Sequence, residues 1–322
     1  MDRPLQILVT GGTGSFGRAF VRRMLREHAD CTIRIYSRDE LKQYEMAREF
    51  GHDPRLRFFI GDVRDRERLA RAFWDVDWVV HAAALKHVHL CEYNPAEAVK
   101  TNVLGSQNVI DAAIDAGVAK VVALSTDKAV NPVNLYGASK LCAEKLFVHG
   151  SAYSGSRQTR FACVRYGNVV GSRGSVIPLW LEQAPTGVLT LTDARMTRFW
   201  ISLGQAVDLV LQVLREMRGG EIFVPKIPSM RMVDLARAIA PEAMLKEVGV
   251  RPGEKLHEVL LTPEEAPRTR EFPTHFVVSR HTPRPEGRPL PDEFCYRSDQ
   301  NTQWLDVERL RQLVAELTCD GR

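Results

Sequence analysis

The chain has 322 residues, and 44 Lys and Arg against 40 Asp and Glu leave a net charge of only +4, so charge marks no nucleic-acid or membrane-surface partner. Hydrophobic residues at 44% and charged residues at 26% describe a globular protein with room for about two domains, which excludes intrinsic disorder as the main state. No apolar run reaches the ~18 residues of a membrane span, and Met1-Asp2-Arg3-Pro4 enters a strand-like run without secretory features, so a cytoplasmic address is expected. Strand-sized apolar runs at 7–9, 32–36, 58–60, 78–80, 121–124 and 161–165 alternate with helix-length amphipathic segments. That rhythm predicts βαβ crossovers and an α/β, Rossmann-type doubly wound parallel sheet. After Gly171 the strands shorten and Gly and Pro punctuate the chain. Residues 203–217 read as one more helix, 222–224 as one more strand and 232–240 as a short helix. Between 263 and 291 the spacing predicts a loop-rich stretch with one strand at 276–278, and 306–317 closes the chain as a helix. The expected organisation is a nucleotide-binding domain over 1–171 plus about 203–226, interleaved with a smaller α/β domain over about 172–202 and 227–322.

Directly after the first strand comes Thr10-Gly11-Gly12-Thr13-Gly14-Ser15-Phe16-Gly17, and a helix follows. Gly11, Gly14 and Gly17 allow a tight turn, backbone approach to a pyrophosphate and close helix–strand contact. A helix N-terminus behind such a loop favours an anion, and Thr13, Ser15 and Phe16 belong to the same cradle. The second strand ends at Ser37-Arg38, where an acidic residue would hold a ribose hydroxyl and an arginine suits a 2′-phosphate. NADP is therefore favoured, with NAD as the alternative because Asp39 and Glu40 follow at once. Asp62, after the third strand, is placed either to accept from an adenine amino group or to cap a helix.

The fifth strand leads into Ser125-Thr126-Asp127-Lys128, and Tyr136 and Lys140 follow four residues apart. On a helix they share a face, which would put an ammonium near the phenol and lower its pKa. Thr126 completes a hydroxyl, Tyr and Lys arrangement suited to taking a proton from a sugar hydroxyl. Asp127 and Lys128 are surplus to hydride transfer, and at the carboxyl end of a parallel strand they form a second acid and base. A ketone at C4 of a hexose would acidify C5, so Lys128 could take the C5 proton if its pKa is depressed, and Asp127 could protonate the departing C6 oxygen. A surface ion pair is the plainer alternative. Six scattered cysteines lack a C-x-x-C pair, which predicts reduced thiols, and the spacing of His81, His87, His89 and Cys91 fits no metal site.

These segments, with Glu92-Tyr93-Asn94-Pro95, Arg251-Pro252-Gly253-Glu254-Lys255 and Tyr296-Arg297-Ser298-Asp299, resemble over nearly the whole chain the configuration-inverting UDP-N-acetylglucosamine 4,6-dehydratases. Those enzymes belong to the extended short-chain dehydrogenase/reductase superfamily and begin pseudaminic acid synthesis. The resemblance implies oxidation at C4, loss of water across C5 and C6, return of the same hydride to C6, and inversion at C5. It assigns Val63, Ala82, Ala83 and Lys86 to the cofactor, and Lys86, His87, Asn168, Val176, Ile177 and Pro178 to the UDP-sugar. Arg198, Arg251 and Glu254 fall to the diphosphate and the uridine ribose, and a homo-oligomer is implied. Met usually stands in place of Tyr136 in the configuration-retaining relatives. One departure is His89, where the family pattern has Pro, close to where the hexose should rest. Two rival readings are a UDP-hexose 4-epimerase, which would not need Asp127 and Lys128, and a non-catalytic NADP-sensing module.

Overall fold

The structure, a computed structural model, describes residues 3–170 and 176–320. The domain boundary expected at 171–172 lies outside the described residues, as does the side chain of Cys319. Cys31, Cys91, Cys142, Cys163 and Cys295 are free thiols.

The chain opens with β1 (Leu5–Thr10), α1 (Ser15–Glu27), β2 (Cys31–Ser37), α2 (Glu40–Glu49), β3 (Leu56–Ile60), α3 (Arg66–Phe73) and β4 (Trp78–His81). It continues through α4 (Val88–Tyr93), α5 (Pro95–Ala98), a π-helical turn at Val99–Leu104, α6 (Gly105–Ala116), β5 (Lys120–Leu124), α7 (Leu135–Gly150) and β6 (Arg160–Val164). Then come β7 (Asn168–Val169), α8 (Val176–Gln183), β8 (Val188–Leu191), β9 (Thr197–Ile201), α9 (Leu203–Glu216) and β10 (Glu221–Pro225). The remainder holds β11 (Ser229–Arg231), α10 (Met232–Ile239), β12 (Met244–Glu247), β13 (Val259–Leu261), β14 (Thr269–Glu271), β15 (His275–Ser279), β16 (Arg288–Pro289), β17 (Tyr296–Arg297) and α11 (Val307–Asp320).

Ten strands form one sheet in the order β16-β14-β15-β10-β6-β5-β4-β1-β2-β3, parallel from β10 to β3. Helices cover both faces, which is why β1, β4 and β5 read as continuous apolar runs: Ile7, Val9, Val79, Val80, Val121 and Val122 are wholly buried. On α1, Phe16, Phe20 and Met24 repeat every four residues and turn one face to the core. The strand order reverses between β1 and β4, so their carboxyl ends frame the crevice where ligands bind in such sheets.

The 263–291 stretch differs from expectation. It forms β14, β15 and β16 rather than one strand, and all three join the large sheet through antiparallel pairing of β15 with β10. Every residue of β15 is buried, so this part of the expected second domain completes the first. Burial was invisible in the sequence because Pro and Arg interrupt the apolar pattern. The second core gathers Trp180, Leu189, Leu191, Trp200, Leu235 and Leu310 from α8, β8, β9, α10 and α11. No helix among the described residues is long and apolar enough to cross a membrane.

Candidate active site

A cavity of about 1580 Å³ runs between the two cores, from the glycine loop across the carboxyl end of β5 to α8 and the 251–258 segment. At its first end Gly11 has a φ of +66°, and a Cβ there would lie 2.8 Å from the Ala83 nitrogen. Only glycine fits. The Gly11 N–H donates to the Tyr36 carbonyl at 2.8 Å, which ties the loop to β2. At Gly17 a Cβ would collide with the Gly12 backbone, so α1 sits directly against the loop. The helix starts with no side-chain cap and no acid in its first turn, leaving its N–H groups to face an anion. This uncapped, cradle-forming terminus fits the pyrophosphate of a dinucleotide.

Ser37, Arg38, Asp39, Lys42, Asp62 and Val63 line the far side of that end. Asp39 is committed elsewhere: it caps α2 through the Lys42 N–H at 3.0 Å and pairs with the Lys42 ammonium at 2.6 Å. Asp62 accepts from the Arg64 N–H and guanidinium at 3.0 and 2.7 Å and faces Arg38 at 3.6 Å. Asp65, not Asp62, caps α3. Ala82 and Ala83 form the opposite wall, and Thr10 reaches the buried His81 Nδ1 at 2.7 Å just below them. Burial, with the Lys140 charge, drops His81 to about 3 and keeps that ring neutral. Asn102, inside the π-helical turn, grips Leu85 at both its N–H (2.8 Å) and its carbonyl (2.9 Å). It thereby shapes the loop carrying Lys86 and His87, which line the cavity.

Thr126 opens a tight turn over Asp127–Ala129, and Asn134 caps α7 through the Gly137 N–H at 2.7 Å. A Cβ at Gly137 would collide with the Lys128 carbonyl oxygen, so glycine lets the turn lie on the helix. Tyr136, Lys128 and Thr126 consequently share one wall. Burial pushes the Tyr136 phenol up to about 12, while the Lys128 charge and the Thr126 hydroxyl pull it back. Lys140 does not partner the phenol as expected. Its Nζ donates to the Leu124 carbonyl at 2.7 Å, the acceptor exposed where β5 ends, and burial lowers its pKa.

Asp127 is wholly buried. Its Oδ1 accepts from the Thr126 hydroxyl at 2.9 Å and from Lys128 Nζ at 3.0 Å, while Oδ2 is buried without a partner. Lys128 Nζ also donates to Asn168 Oδ1 at 3.2 Å and stands 3.6 Å from Glu258 Oε1. Burial would lower the Lys128 pKa, but the two carboxylates outweigh it and raise it. The expected depressed amine is thus corrected: in this state Lys128 is an ammonium, held so by an ion pair that sequence could not reveal. Asp127 goes the other way, raised by burial and by the Glu258 charge against the pull of Lys128.

Arg198 also departs from expectation. Its guanidinium donates to the carbonyls of Thr197, Leu256 and Lys255 at 2.7, 3.0 and 3.0 Å, and Nε faces Glu258 at 3.8 Å. The fork is spent on backbone rather than turned to a diphosphate, and it shares the Leu256 carbonyl with the Thr197 N–H of β9, which reaches the same oxygen at 3.1 Å. Arg251 and Glu254 line the cavity, and so do Val176, Ile177 and Pro178 at the start of α8. Gly253, at a φ of +83°, presents its carbonyl to Asn134 Nδ2 at 2.7 Å. Sequence reasoning missed Glu258 and Lys255. Their only signal was proximity to the Arg251–Glu254 run.

A doubly wound sheet with this glycine loop at its switch point, and a tyrosine and lysine on the next helix but one along the crevice, defines an extended short-chain dehydrogenase/reductase. The chain belongs to the family described as polysaccharide biosynthesis protein, whose model matches residues 7–280. It is 50% identical over 96% of both chains to a protein named UDP-N-acetylglucosamine 4,6-dehydratase (inverting) from Campylobacter jejuni. It is 45% identical, over 97% of this chain and 95% of the other, to one named UDP-glucose 4-epimerase from Rickettsia felis. Among solved structures, Pen from Bacillus thuringiensis matches with a TM-score of 0.89 at 38% identity, covering 98% of this chain and 99% of its own. DesIV, a dTDP-glucose 4,6-dehydratase from Streptomyces venezuelae solved with NAD and TYD bound, matches with a TM-score of 0.70 at 28% identity over 78% and 87%.

Proposed function

We propose that the protein is a sugar-nucleotide 4,6-dehydratase acting on UDP-N-acetylglucosamine with NADP, inverting C5 to give UDP-2-acetamido-2,6-dideoxy-β-L-arabino-hexos-4-ulose. The observation that carries this reading is the Asp127–Lys128 pair beside Tyr136, with its carboxylate buried, a proton donor and acceptor that a 4-epimerase has no use for. The name of the Campylobacter relative supports the substrate class and the stereochemical sense of this reading. For the cofactor, Arg38 and Lys42 stand at the end of β2 while Asp39 is taken up by its cap, which favours a 2′-phosphate over a bare ribose hydroxyl.

Gly11 to Gly17 would hold the pyrophosphate, and Lys140 and Tyr136 the nicotinamide end. When bound, the nicotinamide supplies reversible oxidation at C4 of the hexose. Tyr136 acts as the phenolate, its own proton released to solvent and its charge favoured by the nearby Lys128 ammonium and the Thr126 hydroxyl, and takes the C4 hydroxyl proton at its oxygen. Once C4 is a ketone the C5 proton is acidic. Asp127 and Lys128 share one proton, and the arrangement with that proton on Asp127 leaves Lys128 neutral and basic. Lys128 then takes the C5 proton, the C5–H electron pair forms the C5–C6 double bond, and the C6–O bond breaks. Asp127 gives its proton to the leaving oxygen, which departs as water. With the hydride taken from C4 returned to C6, a proton delivered to C5 from the opposite face completes the 4-keto-6-deoxy sugar and inverts C5.

The test is NMR and mass spectrometry of the product formed from UDP-N-acetylglucosamine in deuterated water. A 4-keto product lighter by one water, with deuterium at C5 in the L-arabino configuration, is expected. A C4 epimer of unchanged composition would replace this reading with the epimerase.

A further inference from the structure

Two carboxylates, not one, converge on the Lys128 ammonium. Asp127 Oδ1 lies 3.0 Å from Nζ and Glu258 Oε1 3.6 Å, and both acids are sealed from solvent: Asp127 is 0% exposed and Glu258 2%. One oxygen of each, Asp127 Oδ2 and Glu258 Oε2, is buried with no hydrogen-bond partner. Burying an ionised carboxylate so poorly satisfied is costly, and a merely structural acid would be expected to saturate both oxygens. Glu258 is instead fixed at its backbone, where its N–H donates to Ser298 Oγ at 2.9 Å and its carbonyl accepts from the Ser298 N–H at 2.9 Å. Its side chain is left pointing at the amine the reaction uses.

We infer that Glu258 is a positioning residue for the dehydration step, holding Lys128 Nζ against Asn168 and stabilising the positive charge that appears there as Lys128 takes the C5 proton. This inference rests on the dehydratase reading and extends it to a residue outside the Thr-Asp-Lys and Tyr motifs. Before elimination the shared proton sits on Asp127 and Lys128 is neutral. Afterwards Lys128 carries the proton from C5, and Asp127 has given its own to the C6 oxygen. Charge separation therefore grows along the step, positive at Nζ, and a fixed anion beside Nζ stabilises that charge as it forms, just as it holds the resting Lys128 as an ammonium. Among the described residues, the remaining charged or titratable groups facing this cluster are Arg198 from β9 at 3.8 Å from Glu258 Oε1, Lys255 at 3.8 Å from Oε2, and the Tyr136 phenol from α7. Burial pushes Glu258 up, but Lys128, Arg198 and Lys255 outweigh it and keep it anionic, while Asp127 is the acid driven towards protonation. Two acids of one cluster are thereby pushed apart into fixed anion and proton donor.

The test compares wild type, Glu258→Gln and Glu258→Asp in the cofactor-loaded enzyme, each checked for native melting behaviour and cofactor content. Glu258→Gln is expected to lower kcat by about 10- to 100-fold with KM changed less than threefold, less than the loss that follows removal of a donor touching the reacting oxygen itself. The alkaline limb of its kcat profile should move to lower pH, since removing an anion beside an ammonium lowers that group's pKa. The midpoint of the Lys128 ¹³Cε resonance, titrated without substrate, should fall in the same direction. Glu258→Asp, which keeps the charge, should hold the limb near wild type. A folded Glu258→Gln with wild-type kcat, limb and Lys128 midpoint would overturn the inference while leaving dehydration intact. Absence of water loss in the wild type would overturn the functional reading and this inference with it.

Discussion

Arg38 and Lys42 reach the cofactor end of the cavity from one loop and one helix turn, and they differ in freedom. Lys42 is paired with Asp39 at 2.6 Å, whereas the Arg38 guanidinium is half exposed and only loosely opposed by Asp62 at 3.6 Å. An arginine fork is therefore the more available partner for a phosphate. Replacing Arg38→Ala should weaken NADP binding by about 10- to 100-fold, the worth of one or two charge-assisted hydrogen bonds, and leave NAD binding within about threefold. Calorimetric titration of both dinucleotides measures this, and an equal loss for both would place the 2′-phosphate elsewhere. Arg38's place in the cavity wall was legible because it is a local position, just past a strand. Glu258 was not, because its meaning lies in burial and in an ammonium brought from far up the chain. Arg198 departs for a related reason: an arginine among polar neighbours looks the same in sequence whether its fork meets a ligand or the backbone carbonyls of Lys255 and Leu256.

At the scale of elements, α7 carries the site, and its first turn is fastened twice by one side chain. Asn134 Oδ1 caps the helix through Gly137, and its Nδ2 donates to the Gly253 carbonyl, so cap and cavity wall are a single hydrogen-bonded unit. Loss of an N-cap costs about 1 kcal/mol, and the severed strap adds its own share. Asn134→Ala should thus destabilise the protein by about 1–2 kcal/mol in urea unfolding and also raise the KM for the sugar nucleotide. Asn134→Asp, which keeps the cap but not the donor, should recover most of the stability and little of the KM. An unchanged KM in both variants would show that the 251–254 segment takes no part in binding. The helices and parallel strands that frame this unit were readable because each repeats its apolar pattern over two turns or a full strand, as α1 and β5 do. The antiparallel strands β14 and β16 were not, being three and two residues long with Pro and Arg in them, so that only the pairing of β14 with buried β15, and of β16 with β14, makes them strands.

Across the whole molecule, the nucleotide-binding sheet is joined to the segment after β13 by a buried ion cluster. Arg165, at the end of β6, donates to Glu144 of α7 at 3.0 and 2.5 Å, to Glu265 at 2.8 and 2.9 Å, and to the Leu260 carbonyl at 2.9 Å. Ser125 Oγ donates to Glu144 at 2.7 Å, so the cluster also anchors the residue before Thr126. Because Glu258 lies just before β13, the cluster fixes both flanks of the proton-handling site at once. Arg165→Met should leave two buried carboxylates uncompensated and destabilise the protein by about 3–5 kcal/mol near neutral pH. The pH dependence separates this from a packing defect. Burial pushes Glu265 up, but the Arg165 charge and hydrogen bonds outweigh it and hold its pKa below the ordinary 4.5. A carboxyl lowered by folding stabilises the protein above its unfolded pKa, and that contribution is lost as pH falls through the folded value. Wild type should therefore lose stability below about pH 4.5, whereas in Arg165→Met the stranded Glu265 carboxyl takes up a proton more readily than in the unfolded chain and acid relieves it. The stability gap between the two, measured by urea unfolding from pH 7 down to pH ~4, should narrow on acidification; a constant gap would mean that lost packing, not charge, is what Arg165 contributes.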